Sequence, residues 1–281
     1  MPQWRLGSLH PAAVMLALAI SLLSMREAAA DRDRGIAACE SQDWETAARE
    51  LAPEEATTTD PEVVHCLADM HFSGLGLPRD AQKAFSLWKR IADLGNDDAE
   101  ETVGYFYLDG EGTARDTKLA EEYFLSSAKQ GNPKAMSDLA LYYWLGYIGC
   151  CPDRQKSLYW TAKLADSGDV AAAMELVRIY STGDGVAEDD KTAVAWALKA
   201  AKEDSMEAYL FLGNATAEGR GTEKNPVEAY KWFDLAAFHH ESSKASEAAR
   251  RRDAIAAGLT PDQIKQAQHL AFDWRLTARP Q

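Results

Sequence analysis

The chain has 281 residues, 46% of them hydrophobic, enough to bury a substantial core in one or two domains. Lys and Arg number 30 against 44 Asp and Glu, a net charge of −14. That sign argues against nucleic acid or an anionic membrane surface as the main partner, because both demand a dense positive face.

The first element is N-terminal. Arg5 precedes the apolar run AAVMLALAISLL (Ala12 to Leu23), and Ala28-Ala29-Ala30 precede the charged DRDR. A basic start, an apolar stretch and small residues before a charged segment predict a secretory signal over residues 1–30, cleaved after Ala30. The run falls short of the ~20 apolar residues that a spanning helix needs. No integral membrane span is therefore expected after cleavage; an uncleaved anchor is the competing reading. The protein is then expected in the periplasm or secreted, where disulfides persist. Cys39 and Cys66 are candidates to bridge an N-terminal helix to the next. Cys150 and Cys151 are adjacent and either form a vicinal bond or remain thiols. Four cysteines allow three full pairings, and all stay open here.

Residues 31–59 read as a shorter, capping helix pair, GIAACESQDWETAARELAP, with EEATTTD as the link onward. A period then takes over. Paired glycines recur at Gly74/Gly76, Gly110/Gly112, Gly146/Gly149, Gly183/Gly185 and Gly219/Gly221, their first members 36, 36, 37 and 36 residues apart. Asp80, Asp116, Asp153, Asp189 and Asn225 follow as predicted helix N-caps. After them come a small column (Ala84, Ala120, Ser157, Ala193, Ala229) and a large one (Leu87, Tyr123, Trp160, Trp196, Trp232), the spacing of one helix face. That helix is predicted to stop at Gly95, Gly131 and Gly168, with Asp204 and His240 at the corresponding places in the last two units. Ahead of each glycine pair runs another helix, with columns Val63, Ala99, Ala135, Ala172, Ala208 and Leu67, Val103, Leu139, Leu176, Leu212. A further column there reads His71, Tyr107, Tyr143, Tyr180 and Thr216. Each unit over 60–240 is thus helix A, a glycine turn, helix B and a link. The third turn, GYIGCCPD, is one residue longer.

The stretch GDGVAEDD (Gly183 to Asp190) resembles a site by composition, with two glycines and four carboxylates. It lacks the ligand order of a calcium loop and the third glycine and preceding strand of a dinucleotide fingerprint. It is read as a turn followed by an N-cap. Residues 241–281 are expected to cap the array, with Thr260-Pro261-Asp262-Gln263 as a capping box and Ile264, Ala267, Ala271 and Trp274 as an apolar stripe.

The pattern A-x-x-x-L-G-x-x-Y-x-x-G-x-G, an N-cap Asp, K-A-x-x-W and A-A-x-x-G resembles the SEL-one-like repeat family, relatives of tetratricopeptide repeats. The resemblance implies an all-α fold, a right-handed α-solenoid of stacked antiparallel helix pairs with helical caps. It also implies a non-enzymatic interaction scaffold without a cofactor or metal, acting as adaptor, assembly factor or signalling regulator for a protein or peptide of the cell envelope. His71 and Thr216 depart from the family's tyrosine and the third turn is lengthened, and less regular packing of those units, within the same fold, is the expected consequence. The rival is a cell-wall or β-lactam-binding or hydrolysing protein. Cysteine-rich relatives of that type carry a cysteine pair in each unit, which this chain does not.

If tetratricopeptide geometry carries over, helix A faces a concave groove through Phe72, Tyr105, Leu108, Leu141, Trp144 and Arg178. These form an expected contiguous apolar-aromatic patch for the partner, with acidic side chains along the rim. Packing between units is the competing reading for the apolar members, and local pairing is the competing reading for Arg178.

Overall fold

Short helices joined by tight turns cannot bury their apolar stripes alone, and each must pack on its neighbours. The computed structural model describes residues 29–149, 151–238 and 243–277, which contain fourteen α-helices and no strand. Helix α1 covers 29–40, and α2 (Trp44–Leu51) runs into a short 3-10 turn, Ala52–Glu54. Five hairpins follow: α3 (Pro61–Ser73) with α4 (Ala81–Ala92), α5 (Asp97–Asp109) with α6 (Thr117–Gln130), α7 (Pro133–Leu145) with α8 (Arg154–Asp166), α9 (Val170–Thr182) with α10 (Asp190–Lys202), and α11 (Met206–Glu218) with α12 (Pro226–Ala237). Helices α13 (Ser243–Ala256) and α14 (Pro261–Thr277) close the chain. The chain forms two compact units that part between Gln130 and Gly131, inside the repeat array. Most of the expected signal, residues 1–28, lies outside the described residues, as do Cys150 and His240.

The turn chemistry is the same in all five hairpins. Helix A ends at a left-handed glycine (Gly74, Gly110, Gly146, Gly183, Gly219), whose amide bonds the carbonyl four residues back. Asp80, Asp153, Asp189 and Asn225 then cap helix B by accepting from backbone amides of its first turn, and Asp116 does the same from Lys118 and Leu119. Helix A has its own caps in Asp60, Asn96, Asn132, Asp169 and Ser205. The columns predicted to be buried are nearly all so, with Leu67, Leu139 and Ala229 fully enclosed.

His71 and Thr216 do not loosen their units. The column they occupy supplies a backbone carbonyl to the amide of the helix-B cap, and that bond forms whatever the side chain: His71 to Asp80 at 2.7 Å, Tyr107 to Asp116 at 2.8 Å, Thr216 to Asn225 at 3.0 Å. His71 itself is buried, with its ring nitrogens 3.2 Å from the Pro78 carbonyl and 3.1 Å from Glu55 Oε2. Burial is the largest influence on Glu55 and raises its pKa. The bonds to His71 and Lys83 outweigh it and leave the carboxyl below its ordinary value.

In two hairpins a glycine on helix A faces a phenyl ring on helix B. A Cβ on Gly104 would meet the Phe124 ring at 2.8 Å, and one on Gly213 would meet Phe233 at 2.6 Å. At the same register the other units pair Ala68 with Trp88, Ala140 with Thr161 and Val177 with Ala197. Where helix A has no side chain helix B supplies a phenyl, which keeps packing dense there.

The C-terminal cap is tied to the array by aromatics. The Thr260 amide donates to Gln263 Oε1 at 2.9 Å and the Gln263 amide to Thr260 Oγ1 at 3.3 Å, closing the capping box. Ala267 and Ala271 are fully buried beneath it. Trp274 packs edge-on to Trp232 at 4.9 Å and donates its indole N–H to Tyr209 Oη at 3.3 Å. Burial, and then the neighbouring Asp204, push the Tyr209 phenol up to about 12 despite that donated bond.

Candidate functional site

The expected groove residues are distributed between the two units. Phe72, Tyr105 and Leu108 belong to the first. Phe72 is 36% exposed and packs edge-on to Phe106 at 5.7 Å. Tyr105 is half-buried, with its ring 5.2 Å from the fully enclosed Phe124. Leu108 departs from expectation: at 9% exposure it is a core side chain, turned inward on the last turn of α5. It offers a partner nothing through its side chain, and its carbonyl is taken by Arg115 Nε at 2.9 Å.

In the second unit Leu141, Trp144 and Arg178 are brought together. They line a cleft of about 510 Å³ formed by α7, α8 and the start, middle and exit of α9. Leu141 is 51% exposed and offers an open apolar surface. Trp144 is half-buried, because the Arg154 guanidinium lies over its ring at 3.2 Å and donates to the Trp144 carbonyl at 3.3 Å. Nothing in the spacing of the sequence singled out Arg154, since it enters from the first position of the following helix. The cleft floor carries hydroxyls already committed to the backbone: Ser157 Oγ donates to the Ala140 carbonyl at 2.7 Å, and Thr161 Oγ1 to the Ser157 carbonyl at 3.0 Å.

Arg178 is locally paired. It donates to both Glu175 oxygens at 3.0 and 2.8 Å and to Asp184 Oδ2 at 2.8 Å. Those bonds, to Glu175 first and Asp184 second, push its pKa further up. A partner carboxylate would have to displace a carboxylate already in place, so this arginine braces the rim. Asp169 is likewise engaged, accepting from the Ala172 amide at the start of α9. The acids of this cleft are therefore structural before they are recognition groups.

GDGVAEDD is punctuation with a second duty. Gly183 ends α9 and Asp189 caps α10, while Asp184 holds Arg178 and lines the cleft. A Cβ on Gly185 would sit 3.4 Å from Arg154 Nε and 3.6 Å from the Trp144 ring. The turn thus forms one wall.

A disulfide joins Cys39 to Cys66, with Cα atoms 6.1 Å apart, and so links α1 to α3. Cys151 is exposed on the third turn, beside Cys150, which is outside the described residues. No helix of the described residues is long and apolar enough to cross a membrane.

A family model described as Sel1 repeat matches residues 67–96, 98–132, 133–169, 170–205 and 207–237. The chain is 29% identical over 158 residues to a Saccharomyces cerevisiae protein named chitin synthase regulator SKT5, covering 56% of this chain and 23% of that one. It is 28% identical over 190 residues to an uncharacterised Neisseria meningitidis protein, covering 68% and 39%. The alignments thus span well under half the length of these relatives. Among solved structures it is similar to a Sel1 repeat protein from Oxalobacter formigenes, with a TM-score of 0.55 and 24% identity over 75% of this chain and 86% of that one, a likeness of fold.

Proposed function

This chain belongs to the Sel1-repeat family, and from that premise we propose that it is an exported, non-enzymatic interaction scaffold that receives a partner protein or peptide in the cleft of its second unit. The observation that carries the reading is the exposed Leu141 beside the Arg-braced face of Trp144 in a cleft whose polar floor is already satisfied. Such a surface binds by apolar contact, and aromatic anchors in partly desolvated pockets supply most of the energy of such contacts. The relative named as a chitin synthase regulator supports an accessory role, that of an adaptor or regulator of another protein, over a catalytic one. Export rests on the N-terminal pattern and on the Cys39–Cys66 disulfide, a bond that persists in oxidising compartments.

The test compares proteins captured by the tagged chain with those captured by a Leu141→Ala/Trp144→Ala variant, after circular dichroism has shown the variant to be folded. A partner held by the wild type is expected to fall about tenfold or more in the variant, since losing a buried aromatic anchor typically costs at least 2 kcal/mol. A partner retained equally by both would move the interface off the cleft. Mass spectrometry of the same wild-type preparation is expected to show a chain beginning at Asp31; an intact N-terminus would end the cleaved-export reading.

A further inference from the structure

The hairpins stack through the second glycine of each turn, and one junction breaks the rule. A Cβ on Gly76 would lie 2.4 Å from the Trp44 carbonyl oxygen, and one on Gly112 or Gly221 would lie 2.2 Å from that of Ala81 or Asp190. Trp44, Ala81 and Asp190 are each the first residue of the helix on which the turn sits. Gly185 has Arg154, the first residue of α8, as its counterpart. There the nearest atoms are Arg154 Nε at 3.4 Å, Arg154 Cδ at 3.6 Å and the Trp144 ring at 3.6 Å, all of them side chain. The arginine stem and the indole thus stand between the fourth turn and the backbone of α8.

The cause lies in the third hairpin. Arg79 Nε donates to the Phe72 carbonyl at 3.0 Å and Arg115 Nε to the Leu108 carbonyl at 2.9 Å. Each of these arginines stands one residue before its helix-B cap. In the third hairpin that place is Pro152, which has no side-chain donor. Arg154, on the other side of the cap, serves the equivalent Trp144 carbonyl at 3.3 Å instead and lays its guanidinium on the ring at 3.2 Å. A planar cation stacked on an indole and bonded to the same residue's backbone is held in one place. Without it the fourth turn can settle on the Arg154 carbonyl as the fifth settles on that of Asp190, gaining van der Waals contact and narrowing the crease. We infer that Arg154 is a positioning residue of the interaction site, a prop that keeps the cleft of the second unit open over Leu141 and Trp144. The inference rests on the interaction-scaffold reading above and names the residue that regulates access to that site.

Two measurements on the full chain test it. Urea denaturation compares Gly185→Ala in wild type and in Arg154→Ala. In wild type the added methyl meets only side-chain atoms. In Arg154→Ala it is expected to meet the backbone, and the drop in midpoint is expected to be at least about twice as large. Nile red, a neutral apolar dye, then reports the opening by fluorescence titration, with the binding lost in Leu141→Ala/Trp144→Ala marking the cleft. Arg154→Ala is expected to weaken that binding about fivefold, the loss of a modest apolar contact area. Arg154→Met keeps a stem over the indole and is expected to stay within about twofold of wild type. Equal midpoint drops in the two backgrounds overturn the prop. A loss in Arg154→Met as large as that in Arg154→Ala assigns the effect to charge and overturns it too. Equal dye binding by wild type and Leu141→Ala/Trp144→Ala instead removes the interaction reading, and with it the role of Arg154 there, even where the glycine coupling persists.

Discussion

Gly112→Ala is expected to destabilise the first unit by about 3 kcal/mol or more, whereas Gly95→Ala in the same unit is expected to cost about 1 kcal/mol. Both glycines have positive φ, 73° and 86°, so both variants carry the strain of an L residue in the left-handed region. Only Gly112 adds a collision. Its Cβ would lie 2.2 Å from the Ala81 carbonyl oxygen and 2.6 Å from the carbonyl carbon, while nothing stands within 4 Å of one on Gly95. Backbone atoms at the head of α4 cannot rotate aside as a side-chain tip can. The α5–α6 hairpin must therefore lift from α4, and the buried contact between them opens. Urea denaturation followed by far-ultraviolet circular dichroism measures both losses, and equal values for the two variants would remove the stacking role assigned to the second glycine. Gly76 meets the Trp44 carbonyl and Gly221 the Asp190 carbonyl in the same way. The α1–α2 pair thus presents to its neighbour the surface that a full repeat presents.

Cys39→Ala/Cys66→Ala is expected to lower the stability of the first unit by about 3 kcal/mol, the entropy of freeing a loop of this size in the unfolded chain. The bridge spans 27 residues and closes α1 onto α3. α1 also buries Gly35 and Ala38 and pairs Arg32 with Glu54 at 2.7 Å, and the disulfide adds the one covalent tie to these contacts among the described residues. The expected readout is a lower urea midpoint for the double variant, with intrinsic tryptophan fluorescence reporting through Trp44 and Trp88. Wild type in reductant is expected to move by the same amount. An unchanged midpoint in both would mean that packing alone retains α1. Because repeat arrays can open locally, hydrogen exchange over 29–51 is the sharper measurement, and it should quicken before the hairpins of α3 to α6 respond.

Much of the architecture is local and therefore legible. A glycine three residues past the tyrosine column, an Asp six or seven residues on and a small-large alternation each constrain a turn of chain by its own chemistry. The caps at Asp80, Asp153 and Asp189, the box at Thr260 and Gln263, and the stripe at Ala267 and Ala271 all follow from residues within a few positions of one another. The looser packing expected of His71 and Thr216 does not occur, because side-chain identity is the wrong quantity at that column. The carbonyl does the work, and every residue has one.

The site was less legible. The tetratricopeptide likeness placed Leu108 on the groove face, but the side chain is at 9% exposure on the last turn of α5. The Arg154 guanidinium over Trp144 and the Asp184 carboxylate on Arg178 involve residues that meet across turns. No single helix pattern contains them.

The sequence by itself determined the repeat, its length, its turns and caps, and so the family, because helix hairpins are specified by short-range bonds that recur every ~36 residues. The tertiary structure alone decided which of the possible cysteine pairings includes Cys39 and Cys66, why Gly76, Gly112 and Gly221 must lack a side chain, where the chain divides into two units, and which residues meet around the cleft of the second unit. Those outcomes depend on distances between segments far apart in the chain, which a one-dimensional pattern does not encode.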